Sequence, residues 1–395
     1  MAAEAPLKRL RACWKGRIMK HRFTVYDGDG HVYEDEDVLI RYYEGPHAIK
    51  KRNRAVSIFP SLDGWPRGVM HERGDKNPNR PFHTDAGIWT GALDKFGFSG
   101  AVLFPTAGLG LGLMRDKEFS TATAVAYNNW LEENYTAADK RLFGAGLLPF
   151  MDPEAAAAET RRCATERKNF ACMLLPTVTT SPLLYGEEFY WPIFAEAERQ
   201  NIPVALHGGP STGFGLDYMA PFYMVHTLSH PIPLFKHLAS VIFNGVFDAF
   251  PRLRLVFLEA GCSWVPFMMD RLDGEYGKIY SAKLRNKIRR RPSEYMRETE
   301  NFWVSAELEE KALKYTIDAM GSADRILYSS DFPHEPTEDA IAAAVPEFIA
   351  QAPYDDRVKE NILGRNAMRL YHITEHGIDR TAAGPDAARR RAVPA

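Results

Sequence analysis

The sequence predicts an α/β fold, a (β/α)8 TIM barrel with a long insertion after strand 1. Three observations carry the prediction. Apolar, β-rich runs recur at 23–31, 98–106, 141–152, 170–178, 202–209, 254–261, 302–309 and 325–334. Helix-like stretches separate several of them, the alternation expected of βα units around a parallel sheet. Residues able to bind a metal ion close several of the runs, which is where a barrel of this kind gathers its chemistry. A doubly wound open sheet is the rival arrangement, but no G-x-G-x-x-G follows any strand to supply a dinucleotide site.

Residues 1–20 mix basic and apolar residues without a period, and we expect an N-terminal extension packed on the barrel or on a partner. The main domain is expected over 21–373. Its first strand runs through Phe23-Thr24-Val25-Tyr26 and ends in Asp29-Gly30-His31. Residues 32–97 follow, far more than one crossover needs; long stretches of this sort are functional lids or linkers. Their Gly, Pro, Trp, His and Arg content, including Trp65, Arg67, His71 and Arg73, suits a loop at the barrel mouth that shapes a substrate pocket or an oligomer contact. An amphipathic helix is expected at 119–137, after strand two. Asp152 and Pro153 supply the N-cap and first residue of the next helix, and alanines continue it. Strand five closes in His207-Gly208-Gly209, and a helix at 234–249 stops before Pro251. Strand six ends in Glu259-Ala260-Gly261 and leads to a helix at 264–280. The eighth strand, Arg325-Ile326-Leu327-Tyr328, runs into Ser329-Ser330-Asp331-Phe332-Pro333-His334. The Ala/Arg/Pro-rich stretch 374–395 predicts a disordered tail.

A net charge of -2 gives no electrostatic reason to expect nucleic acid or an anionic membrane as partner. No apolar run has the length of a transmembrane helix, and the N-terminus lacks the apolar core of a secretory signal. Cys13, Cys163, Cys172 and Cys262 are scattered without a C-x-x-C, which argues against a thiolate zinc site and predicts a cytoplasmic protein.

Successive strand side chains alternate faces, so Asp29 and His31 share one and both reach a single cation. His207, Glu259 and Asp331 end other strands. Buried carboxylates are costly unless paired or bound to metal, and a cation explains them together. Imidazoles and carboxylates without thiolate suit Zn, Mn or Fe. Taken singly, each has a plainer explanation: His207 as a hydrogen-bonded structural residue, Asp331 as a turn cap, Glu259 as an arginine partner, Asp27 as a brace for strand one. Four or five such coincidences at matching strand ends are improbable. His226 and His230 lie one helical turn apart, and His230, before Pro231, is the better ligand candidate. His334, three residues past Asp331, is a candidate proton carrier. His71 and His83 are expected as solvated loop residues.

On these residues the chain resembles the amidohydrolase-related metalloenzymes, in the branch that includes aminocarboxymuconate semialdehyde decarboxylase. The shared elements are Asp29-Gly30-His31, His207-Gly208-Gly209, Gly245-Val246-Phe247, Pro251-Arg252-Leu253-Arg254, Glu259-Ala260-Gly261, Trp264-Val265-Pro266, Arg271-Leu272-Asp273, Ser330-Asp331-Phe332-Pro333-His334 and Asn366-Ala367-Met368-Arg369-Leu370-Tyr371. The resemblance covers roughly residues 20–373. It implies a metal-dependent barrel with Asp29, His31, His207 and Asp331 as ligands. Three positions depart from that pattern. The first ligand is commonly His and here is Asp29; the strand-six acid/base His of the decarboxylases is Glu259; a strand-four Arg-Pro is Leu175-Pro176.

The first reading is a metal-dependent hydrolase or carboxy-lyase acting on a small organic acid. Asp331 binds metal and shuttles a proton, with Glu259 or His334 as second acid/base. The extra carboxylates also resemble a dinuclear non-haem Fe/Fe or Mn/Fe hydroxylase, such as 2-aminoisobutyrate hydroxylase. Its two ions would be held by Asp29, His31, His207, His230, Glu259 and Asp331, and separate reductase proteins would feed it electrons. A third reading is a non-catalytic paralogous subunit of a hetero-oligomer. In each reading a homo- or hetero-oligomer is expected.

Overall fold

The computed structural model describes residues 19–51, 53, 56–61, 83–209, 215–216, 219, 222–279, 286–334 and 337–381. Eight strands form one parallel sheet in sequence order: β1 Tyr26–Val32, β2 Gly100–Pro105, β3 Leu142–Leu147, β4 Phe170–Pro176, β5 Val204–His207, β6 Leu255–Leu258, β7 Phe302–Ala306 and β8 Ile326–Tyr328. Each falls inside one of the eight β-rich runs, apart from a one-residue overhang at Val32. The two edges meet: Asp331 N–H donates to the Asp29 carbonyl at 3.1 Å, and His31 N–H to the Phe332 carbonyl at 2.7 Å. This joins the first and last parts of the barrel, so residues 302 positions apart in sequence become neighbours at its mouth.

Helices between the strands follow local sequence signals. Asp85 accepts from Ile88 N–H and starts Ala86–Phe96, which Gly97 ends in the left-handed region at φ 71°. Asp116 caps Lys117–Leu131, and the chain continues through a wider π turn at Glu132–Thr136, close to the helix predicted there. Asp152 caps Pro153–Thr165 as the sequence indicates. Pro231–Phe243 and Val246–Ala249 fill the stretch before Pro251, and Val265–Tyr276 follows β6.

The connection after β1 contains short turns at Glu36–Leu39, Ile40–Tyr42 and Gly45–His47 before the helix Ala86–Phe96. Trp65, Arg67, His71 and Arg73 lie outside the described residues. So do residues 1–18 of the expected extension.

Of the stretch expected as a tail, residues 382–395 lie outside the described residues, and 374–381 make defined contacts. Ile373–Thr374 pairs antiparallel with Gly377–Ile378, and Arg380 donates to the carbonyls of Phe170 and Ala164. A compositional reading has no means of seeing that one guanidinium can anchor such a segment through backbone oxygens. Cys163, Cys172 and Cys262 are all free and buried.

Candidate metal centre

All seven residues of β1 are buried, including the polar Asp27, Asp29 and His31. Glycine makes this possible. A Cβ on Gly30 would lie 2.3 Å from the Trp89 ring, so the helix Ala86–Phe96 can approach only because no side chain is there. Trp89 then donates its indole N–H to the His31 carbonyl at 3.0 Å. Beneath the site, Asp27 accepts from Ser330 N–H (3.0 Å), the Ser330 hydroxyl (2.5 Å) and Asp29 N–H (3.2 Å). Burial lifts the Asp27 carboxyl to about 7 against the pull of those donors, and lifts Asp29 to about 6 against the opposing charge and hydrogen bond of His207.

His207, the last residue of β5, has Nε2 3.0 Å from Asp29 Oδ1 and Nδ1 2.6 Å from the Gly208 carbonyl. Its Nδ1 also lies 3.2 Å from Glu259 Oε2. Burial opposes charge on this ring, but Asp29 and Glu259 outweigh it and raise His207 to about 9. Glu259 follows β6, and Asp331 stands three residues past β8. Both occupy the left-handed region, at φ 58° and φ 50°, where non-glycine residues cost roughly 1–3 kcal/mol. Strain at two carboxylates facing one centre is the kind that functional sites retain. Burial opposes ionisation of Glu259, yet the imidazoles of His230 and His207 hold its carboxyl well below the usual range.

The chemistry of His31 bears most directly on a cation. Its Nδ1 lies 3.0 Å from the Pro105 carbonyl, which can only accept, so Nδ1 carries the hydrogen and Nε2 the lone pair. Burial and the neighbouring imidazoles keep this ring neutral, well below its ordinary pKa. Its Nε2 is buried without a hydrogen-bond partner, 3.4 Å from Asp331 Oδ1 and 3.8 Å from Asp29 Oδ1. A lone pair facing two carboxylate oxygens is unfavourable unless a cation lies among them. The donor set fits a divalent ion.

Among the described residues, two groups bring ligand atoms within 4.8 Å of one another: Asp29, His31 and His207, and His31, Glu259, Asp331 and His334. They share His31. His230 belongs to neither; its Nδ1 lies 3.1 Å from the His226 carbonyl, and its unpartnered Nε2 faces Glu259 Oε2 at 3.5 Å. His83 is exposed and lies 3.6 Å from Asp85, as a solvated loop residue would. Sequence reasoning did not find Thr106, whose hydroxyl contacts His334 at 2.9 Å, or Phe104, whose ring lies 5.3 Å from His207 and 6.3 Å from His31. Neither residue type carries metal-ligand chemistry, so neither gave a signal.

The family description "Amidohydrolase" matches residues 84–373. The chain belongs to the amidohydrolase family. The match starts after β1, so Asp29 and His31 rest on the geometry above. The 2-amino-3-carboxymuconate-6-semialdehyde decarboxylase of Dictyostelium discoideum is 29% identical over 237 residues, 58% of this chain and 61% of that protein. The gamma-resorcylate decarboxylase of Rhizobium radiobacter is 29% identical over 268 residues, covering 65% and 78%. The crystal structure of 5-carboxyvanillate decarboxylase from Sphingomonas paucimobilis superposes with a TM-score of 0.67 at 25% identity, covering 89% of this chain and all of that one. These similarities agree with the amidohydrolase branch that the sequence resembles. A fold relative from Polaromonas sp. JS666, 22% identical with a TM-score of 0.66, was crystallised with bound manganese. No helix among the described residues is long and apolar enough to cross a membrane.

Proposed function

We propose that this protein is a metal-dependent carboxy-lyase that releases CO2 from a small aromatic acid. The unpartnered Nε2 of His31, neutral and facing two carboxylates, carries the reading. The names of the relatives, decarboxylases of aromatic and muconate-type acids, supply the reaction class. Asp29, His31, His207 and Asp331 would hold the ion, and Glu259, paired with His230, completes the donor set. Zn, Mn and Fe all accept such ligands. Bound there, the cation would polarise a substrate oxygen as a Lewis acid.

The remaining chemistry belongs to the protein's own groups. When the carbon–carboxyl bond breaks, its electron pair stays on carbon and a proton must replace the lost CO2. Glu259 faces two imidazoles that keep it ionised, so it accepts rather than donates. The proton is assigned to the Asp331–His334 pair, whose Oδ1 and Nδ1 are 2.9 Å apart. The test is CO2 release from 2,6-dihydroxybenzoate and 5-carboxyvanillate, abolished by a chelator and indifferent to O2. No release from any hydroxybenzoate by metal-replete protein would sink the proposal.

A second reading is favoured by His230 Nε2 and Glu259 Oε2, both buried without a hydrogen bond and facing each other at 3.5 Å. A second cation between them would suit the Fe/Fe or Mn/Fe pair of an oxygenase component. Two ions per chain including iron, with O2 uptake on adding a reductant, would select it. A homo- or hetero-oligomer in the cytoplasm is the proposed setting, and gel filtration with light scattering tests its oligomeric part.

A further inference from the structure

The turn that leaves β6 is bent twice within three residues. Glu259 and Gly261 both take the left-handed region, each at φ 58°. Glycine adopts that conformation freely, whereas glutamate keeps it only where its surroundings over-determine it. Part of the restraint comes from neighbouring side chains. The Ser305 hydroxyl, on β7, accepts from Glu259 N–H at 3.3 Å. The Thr316 hydroxyl donates to the Cys262 carbonyl and the Trp264 indole to the Gly261 carbonyl, each at 2.8 Å.

Glu310 supplies the rest. It lies in the loop between β7 and the helix Leu313–Met320. Its carboxylate accepts from Cys262 N–H, 3.0 Å from each oxygen, from Ser263 N–H at 2.9 Å and from the Ser263 hydroxyl at 2.5 Å. It also accepts from Glu307 N–H at 3.0 Å, which closes its own loop. Hydrogen bonds from backbone N–H to a carboxylate are among the strong ones. A Cβ on Gly261 would lie 2.8 Å from this carboxylate, so the glycine is what lets Glu310 lie against the turn. The helix that follows, Val265–Tyr276, receives no side-chain cap. The Glu310 bonds therefore act on the turn ahead of the helix, the segment that aims Glu259 between His207 Nδ1 at 3.2 Å and His230 Nε2 at 3.5 Å.

We infer that Glu310 is a positioning residue: by clamping Cys262 and Ser263 it holds the strained turn that keeps the Glu259 carboxylate facing His207 and His230. The inference rests on the proposed metal centre, in which Glu259 completes the donor set. With the clamp cut, the turn is free to relax toward ordinary backbone angles and carry the Glu259 carboxylate away from the two imidazoles. Asp29, His31 and His207 stay on their strands, and Asp331 stays at the seam between β1 and β8. Loss of Glu310 should therefore weaken cation binding through Glu259 alone, without abolishing it.

The test is a double-mutant cycle read by manganese affinity. The full chain is stripped with a chelator and titrated with Mn(II), and the free ion is followed by electron paramagnetic resonance. Glu310→Ala should bind manganese about tenfold to a hundredfold more weakly than wild type, the usual cost of losing a group that orients a ligand. Glu310→Gln keeps the shape and one acceptor oxygen, and should fall between the two. In a Glu259→Ala background, Glu310→Ala should change affinity by less than about twofold, because the group it positions is already gone. A merely structural role would give the same factor in both backgrounds. That result, or wild-type affinity in Glu310→Ala, overturns the inference. If Glu310→Ala does not fold, Glu310→Gln run through the same cycle decides the question by the same criterion. Folded wild type that binds no manganese would instead reject the metal centre, and the inference with it.

Discussion

Asp331 combines an unusual backbone with a specific charge. Its φ of 50° is one that asparagine also tolerates, so Asp331→Asn removes the carboxylate while leaving the turn intact. Turnover should fall by at least about a hundredfold, the lower end of what one acid–base group contributes, with unchanged circular dichroism and melting. Near-wild-type CO2 release from that variant would contradict the assigned role. Gly30 sits at the opposite extreme, needed for what it lacks. Gly30→Ala sets a methyl 2.3 Å from Trp89, and overpacking of this kind costs roughly 1–3 kcal/mol, readable in urea denaturation. A loss under a few tenths would mean that the helix carrying Trp89 shifts freely.

The seam between β1 and β8 depends on Asp27, which ties Asp29 N–H to both donors of Ser330. Asp27→Ala strands those buried donors and should cost about 1–3 kcal/mol for each left unsatisfied. A denaturation midpoint equal to wild type would refute the brace. The helix Pro231–Phe243 is held to the β4 side by His237, whose Nε2 lies 3.0 Å from the Thr177 carbonyl and whose ring stacks on Tyr185. Burial, and secondarily the Lys236 charge, depress His237 to about 3 from 6.5. Between those values the unfolded chain binds a proton that the folded one refuses. His237 therefore contributes fully above pH 6.5, and stability falls as pH drops from 6.5 toward 3, by up to about 1.4 kcal/mol per unit. His237→Gln should lose that part of the acid slope; an identical slope would place the titration elsewhere. Strands and candidate ligands were legible in the sequence for one reason: apolar runs and strand-end carboxylates and imidazoles act through their own side-chain chemistry. Pro105 acts through a carbonyl, Thr106 through a hydroxyl and Arg380 through bonds to backbone oxygens, and such contacts leave no pattern in sequence.

Across the whole molecule, barrel closure converts sequence distance into proximity. Asp29 and His31 come from the first strand, Asp331 and His334 from the segment after the last, and His207 and Glu259 from β5 and just after β6. No half of the chain holds a complete candidate donor set, so a bound metal would report on the closed barrel. Cation binding to the folded state alone stabilises it by mass action, so chelation should lower the melting temperature and added Mn or Zn restore it. The most direct measurement is elemental analysis of protein purified without added metal, beside Asp29→Ala and His31→Ala. The account predicts about one divalent ion per wild-type chain, zinc, manganese or iron, and its loss in both variants. Folded wild-type protein that carries no metal, and takes up neither Mn nor Zn on dialysis, would contradict it.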